Sequence, residues 1–318
     1  MTQNNNLSVS TGNEKTQVIL SYNYNNQEGI LANHNDKRNS FRTKINSELY
    51  KGVRLDVNTM LTTRSTDGGG AYSGMKDVLL QPINGGTLFT QDQMLNTQTF
   101  GDFSALDSGY DTENPLVENE ASKSNKKYRD ILLNAGIEFD FLKNFTWRTS
   151  GQYTFSSSKG TNFSDANSRA ALTDPINTGI NGKIENGEKY SYQITNTLNY
   201  AKTFGGKHDV SALVGQEVLY SKSESNSITL IKFPKANFGL NNIDNATVSN
   251  KEVKMPSPVA LASFFARANY TYDNRYLIAA TIRTDGSSRF NNGYQWGTFP
   301  SISGAWKISE ENFWKDKK

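Results

Sequence analysis

ILLNAGIEFDFLKNFTWRTSGQYTF, residues 131–155, is the stretch whose pattern decides the fold. Ile131, Leu133, Ala135, Ile137, Phe139 and Phe141 take every second position, opposite Asn134, Gly136, Glu138 and Asp140. Leu142-Lys143-Asn144 interrupts the alternation. Phe145, Trp147, Thr149, Gly151, Tyr153 and Phe155 then resume the apolar side, opposite Thr146, Arg148, Ser150 and Gln152. A helix would scatter these residues around its axis, whereas an extended strand separates them onto two faces. The segment therefore reads as an antiparallel hairpin with one apolar face.

The same period recurs along the chain. Val18, Leu20, Tyr22 and Tyr24 alternate with polar residues, as do Phe41, Ile45 and Leu49, and Val53, Leu55, Val57, Thr59 and Leu61. Tyr190, Tyr192, Ile194, Leu198 and Tyr200 form a face that Asn196 interrupts, and Val210, Ala212, Val214 and Val218 form one that Gln216 interrupts. Phe264 to Tyr272, Tyr276 to Ile282 and Ile302 to Ile308 behave alike. About eleven strands are expected, most near the ~10 residues with which a tilted strand crosses a bilayer.

The totals are polar: 318 residues, 35% hydrophobic, 20% charged, mean hydropathy −0.65. No run approaches the ~18 apolar residues of a spanning helix. A transmembrane barrel escapes that test, because only alternate residues meet lipid. The net charge of +3 predicts no nucleic-acid partner. The absence of cysteine excludes disulfides, thiolate metal sites and cysteine nucleophiles. His34 and His208 lack ligand spacing and are expected in loops or turns. No catalytic constellation stands out, so no enzyme activity and no cofactor are expected. Asp107, Asp111 and Glu113 offer oxygen atoms to Ca²⁺, but without EF-hand spacing.

Connections alternate in length. Short turns are expected at Gly12-Asn13-Glu14, Tyr50-Lys51-Gly52, Leu142-Lys143-Asn144, Phe204 to Lys207 and Asp273-Asn274. Long segments are expected at 25–38, 64–127, 159–189, 222–258 and 284–295. Long loops at one end and short turns at the other fit an up-and-down barrel with periplasmic turns and extracellular loops. On the polar side, Arg42, Lys44, Arg54, Asp56, Glu138, Arg148 and Arg267 are expected to face a watery lumen, since a charge turned to lipid costs ~2–4 kcal/mol at mid-membrane. Tyr22, Phe139, Trp147, Tyr270, Tyr272 and Trp306 are candidates for aromatic girdles at the two lipid–water boundaries.

One further block adds a family. Arg267 to Tyr272, Arg275-Tyr276-Leu277, Asp285-Gly286-Ser287-Ser288-Arg289-Phe290, Trp296-Gly297-Thr298-Phe299-Pro300-Ser301 and Trp306-Lys307-Ile308-Ser309 follow one another at spacings that resemble the barrel signature of the SusC/RagA family. These are TonB-dependent outer-membrane transporters of Bacteroidetes. Leu7 to Ser10, Gly12 to Thr16, Gln27 to Ile30 and Arg38 resemble the family's early hairpins. Within the signature, Asp285-Gly286 is expected to bend the chain just past a strand, with Arg283, Asp285 and Arg289 forming an ion-pair network that fixes the loop Arg283 to Phe290.

The resemblance implies an all-β, antiparallel transmembrane barrel of about twenty-two strands around an N-terminal plug. It implies the outer membrane of a Gram-negative cell, a SusD-like surface lipoprotein as partner, energy from the TonB complex through an N-terminal segment, and import of glycans or oligopeptides. Residues 1–318 carry no recognisable signal peptide, TonB box or plug, so the chain is expected to be an internal part of a barrel that does not transport alone. The competing expectation is a soluble or surface-attached β-rich glycan-binding or adhesion module, whose apolar faces would meet in a dry centre.

Overall fold

A computed structural model of the chain describes residues 1–30, 33–69, 115–237 and 239–315. Twelve strands dominate it: β1 (Thr2–Gly12), β2 (Thr16–Glu28), β3 (Asn35–Tyr50), β4 (Val53–Gly69), β5 (Ser122–Phe141), β6 (Phe145–Ser164), β7 (Asn181–Phe204), β8 (His208–Ile231), β9 (Thr247–Lys254), β10 (Val259–Tyr272), β11 (Tyr276–Ser287) and β12 (Trp296–Trp306). Three short helices, α1 (Pro115–Ala121), α2 (Arg169–Thr173) and α3 (Asn312–Lys315), lie between or after them. All strands belong to one antiparallel sheet in chain order, with β9 paired only to β8. Eleven strands thus make the continuous path, as the sequence predicts, and β9 is an addition to it. The sheet is open, with β1 and β12 at its edges.

Register joins the apolar positions of separate strands. Leu7 pairs with Tyr22, Tyr22 with Phe41, Phe41 with Leu61, Leu61 with Ile131, Ile131 with Phe155, and Phe155 with Tyr190. A second row runs through Val210, Tyr270, Ile278 and Gly304. A slip of one residue anywhere would turn a strand's apolar set to the other side. The two register irregularities lie near strand ends, at Glu48/Tyr50 and Thr229/Leu230, and leave the shared face intact.

Among the described residues, no second layer covers that face. Ile302 is 79% exposed and Val214 52%. Among the described residues, the buried hydrophobic side chains are Ala121, Ala171, Leu230 and Phe233, all at the long-connection end. The apolar groups therefore do not meet in a dry centre, which removes the expectation of a soluble sandwich.

The five short turns lie where the alternation breaks, and all fall at one end of the sheet. Between β7 and β8 the chain reverses through Gly205 and Gly206, at φ 55° and 68°, a region glycine enters without steric cost. Between β5 and β6, Leu142 and Lys143 adopt similar values, at φ 49° and 58°.

The long segments are a correction. The strands are longer than the expected ten or so residues, reaching 24 in β7 and β8. The connection 25–38 shrinks to 29–34, because β2 and β3 continue to Glu28 and from Asn35. Likewise β6 runs on to Ser164 and β7 starts at Asn181. These extensions, such as Ser156-Ser157-Ser158 and Ser221 to Ser227, are polar on both faces. Hydrophobic periodicity detects a strand only where one side is apolar, so it stopped short of their ends.

Candidate functional site: a two-faced wall

Pairing places Arg42, Lys44, Arg54, Asp56, Glu138, Arg148 and Arg267 on one side of the sheet, opposite the apolar rows. Four of them form a lattice near the short turns. Arg54 binds both oxygens of Asp140, at 2.6 and 2.8 Å, and its Nε donates to Glu138 Oε1 at 2.9 Å. Arg148 reaches Asp56 at 2.7 Å and Glu138 at 3.4 Å. Gly136 makes the crossing between Arg148 and Asp56 possible, since a Cβ there would sit 2.7 Å from each. The lattice borders a recess of about 340 Å³ that Lys15, Asn46 and Glu48 also line. Arg267 stands apart and donates to Asn269 Oδ1 at 3.0 Å.

The signature block is built differently from the expected loop. Arg283 to Ser287 lie inside β11, where Asp285 pairs with Ser263 on β10 and Gly297 on β12. The chain turns after Ser287. Arg283 donates to Asp285 at 2.7 Å, to Ser263 at 3.1 Å and to Glu217 at 3.3 Å, and its guanidinium lies 5.5 Å from the centre of the Phe265 ring. That ring rests on Gly215, where a Cβ would meet it at 2.4 Å. Glu217 also accepts from Gln193 at 2.7 Å and Thr195 at 3.2 Å. The expected third member, Arg289, is exposed and among the described residues makes no ion pair with this cluster; its backbone N–H donates to Ser287 Oγ at 3.3 Å. Ser288 Oγ accepts from Ala260 N at 2.9 Å and ties the turn to β10, while Phe290 is exposed.

On the other side of the same strand, Gly286 faces Trp296. A Cβ at Gly286 would lie 2.8 Å from the indole, which stacks on Phe264 at 6.2 Å. The Asp-Gly step thus serves two faces: the carboxylate completes the polar cluster, and the missing side chain seats a tryptophan.

Aromatic residues fall into two bands on the apolar face. Near the short turns, Phe141 stacks on Phe145 at 5.7 Å, Phe145 meets Tyr200 at 4.9 Å, and Tyr276 stacks on both Tyr272 and Trp306, at 6.3 and 6.5 Å. Phe139, Trp147 and Tyr270 lie at this end. His208, the first residue of β8 rather than a loop residue, joins them through a 2.7 Å bond to the Tyr270 hydroxyl. Toward the long connections lie Tyr22, Tyr192 and Tyr220, the last two stacked at 5.2 Å, with Phe264 and Trp296. Eight residues separate Tyr200 from Tyr192 and ten separate Trp306 from Trp296. At ~3.4 Å per residue and a tilt of ~40°, the bands stand ~20–26 Å apart, close to the ~25 Å apolar belt of an outer-membrane barrel.

Glu217, Phe265 and Gly215 were missed from the sequence. Strand parity alone would have placed Glu217 with the polar residues, since its neighbour Gln216 sits in the apolar series. Its distant partners give no signal. Asp107, Asp111 and Glu113 lie outside the described residues.

No protein-family model matches the chain. It is similar to TonB-dependent receptor P39 of Formosa agariphila, 30% identical over 98% of this chain and 28% of that protein. It is also similar to TonB-dependent receptor SusC of Bacteroides thetaiotaomicron, 26% identical over 98% of this chain and 31% of that protein. A solved structure of the RagAB peptide transporter superposes with a TM-score of 0.78 at 20% identity, covering 98% of this chain and 34% of that one. The chain thus spans about a third of the length of the proteins it matches. The open up-and-down sheet of two-faced strands shares the fold of these barrels, and in sequence the chain is similar to TonB-dependent receptors, SusC among them.

Proposed function

We propose that residues 1–318 form part of the wall of an outer-membrane barrel, with the apolar face in lipid and the polar face toward the lumen. The whole protein imports glycans or oligopeptides across the outer membrane of a Gram-negative cell. It is energised by the TonB complex and works with a SusD-like surface lipoprotein. The solute passes through chemically unchanged. One observation carries this reading: eleven strands in chain order share a single apolar face, while short and long connections alternate strictly between the two ends. The reverse orientation would set Arg54, Arg148 and Arg267 in hydrocarbon, at ~2–4 kcal/mol for each one near mid-membrane.

The orientation is testable with single cysteines, because residues 1–318 contain none and any elsewhere in the receptor can be replaced by serine. In the full-length receptor in its membrane, Leu133→Cys and Ile194→Cys are expected to resist a water-soluble maleimide and to react with a lipid-soluble one. Ser150→Cys and Gln152→Cys are expected to show the opposite preference. A reversed pattern would refute the reading.

A further inference from the structure

The polar wall carries its charges in two different ways. In the lattice near the short turns, Arg54 and Arg148 each hold two carboxylates. Higher up, on the polar face of β3, Arg38, Arg42 and Lys44 are exposed, and among the described residues none forms an ion pair. Arg42 Nε donates to the neutral Asn58 Oδ1 at 2.9 Å. Arg38 stands directly opposite Arg64, a like-charge pairing that is unfavourable on a bare sheet. Arg64 is the one member with a carboxylate, Asp36, bonded through Nε at 2.8 Å. From Asp36 down to Asp56, the facing positions of β1, β2 and β4 supply amides, hydroxyls, Ile19 opposite Lys44, Met60 and the cation Arg64, but no acid.

We propose that this cation ladder binds a solute bearing repeated negative charges, namely an oligosaccharide with carboxylate or sulfate groups. The inference rests on the import reading and names its substrate class. Strand rise puts Arg38 and Arg42 ~13 Å apart and Arg42 and Lys44 ~7 Å apart, so an extended polyanion meets several cations in succession. Unpaired cations of one sign on an enclosing wall concentrate anions at its surface. The flanking amides, among them Asn23 donating to Asn4 Oδ1 at 2.9 Å, present the donors and acceptors that sugar hydroxyls require.

The test uses the purified full-length receptor, with oligogalacturonate and its neutral methyl ester of equal length as probes. The acidic oligomer is expected to bind at least about tenfold more tightly, an advantage that fades as salt rises from about 50 to about 500 mM. The triple variant Arg38→Gln/Arg42→Gln/Lys44→Gln is expected to lose that advantage while binding the neutral oligomer unchanged. Lys189→Gln, also on the polar face but off the ladder, is expected to keep most of it. Heat-modifiable gel mobility verifies that each barrel is folded. Equal affinity for both oligomers, or a triple variant that still prefers the acid, overturns the ladder. Binding of an acidic peptide but not of the uronate overturns the saccharide assignment. Uptake of neutral solutes alone by cells overturns the ladder and leaves the import reading standing, whereas a folded receptor whose cells take up no solute sinks the import reading itself.

Discussion

Asn196 breaks the apolar face of β7 and Gln216 breaks that of β8, and the register shows why the two exceptions coexist. They are paired with each other and with Thr149 on β6. Trp147 Nε1 donates to Thr149 Oγ1 at 2.9 Å, Thr149 donates to Asn196 Oδ1 at 2.8 Å, and Asn196 Nδ2 donates to Gln216 Oε1 at 3.1 Å. Asn196 sits four residues from Tyr192 and four from Tyr200, so this polar ladder lies ~10 Å from either aromatic band, near mid-membrane. Asn196→Leu would orphan the Thr149 hydroxyl and the Gln216 amide where no water can replace the partner. An orphaned buried group costs ~1–3 kcal/mol, offset in part by the apolar leucine, so a net loss of ~1–2 kcal/mol is expected. Asn196→Leu/Gln216→Leu removes both amides and should cost no more than the single change, giving a coupling of ~1 kcal/mol. Urea unfolding of the full-length receptor in phospholipid vesicles, followed by tryptophan fluorescence, measures both. Effects that add to within ~0.3 kcal/mol, or a single leucine variant more stable than the parent, would refute the ladder as a coupled unit.

Two other sites give independent checks. Gly215→Ala drives a methyl into the Phe265 ring and displaces it from beneath Arg283; a loss of ~1–3 kcal/mol is expected in the same titration, and an alanine variant as stable as the parent would count against the packing. Glu311, after β12, accepts from the Tyr276 hydroxyl at 2.6 Å, the Trp306 indole at 3.1 Å and Arg275 at 2.8 Å, and these bonds, the tyrosine's foremost, hold its carboxyl below the ordinary value of 4.5. A folded value below the unfolded one stabilises at neutral pH, and that stabilisation is lost as the pH falls from about 4.5 through the lowered value. Amide-exchange protection of residues 308–315 should therefore drop in acid in the parent and stay low at every pH in Glu311→Gln; protection unchanged by acid would show that the carboxylate does not anchor the segment.

Much of the wall was legible because lipid imposes a period of two. Ile131 to Phe155 showed strand, turn and the division into two faces, since its apolar residues share one side of the sheet. The legible part ends where the surroundings become alike on both sides. Ser156 to Asn162 and Lys222 to Ser227 are as extended as the strands they continue, yet both of their faces are polar. What holds them straight is the ladder of backbone bonds to neighbouring strands, which side-chain pattern does not encode. Polar clusters were legible only as far as parity reaches. Arg54 and Glu138 are 84 positions apart, and each could be assigned a side, but not a partner, without the register.

The signature block shows the same limit from the other direction. Asp-Gly between apolar runs is a strong local sign of a tight turn, because glycine and aspartate tolerate the backbone angles that turns need. Here neither residue is used for its backbone. Gly286 is chosen for the space above it, which Trp296 fills, and Asp285 for its distance to Arg283. Trp296, ten residues downstream of Gly286, and Glu217, 66 positions upstream of Arg283, are what make these residue types necessary. A dipeptide of turn-forming residues can therefore follow an apolar run without marking a bend: the spacing that matters is the one across the sheet, from Gly286 to the indole that covers it.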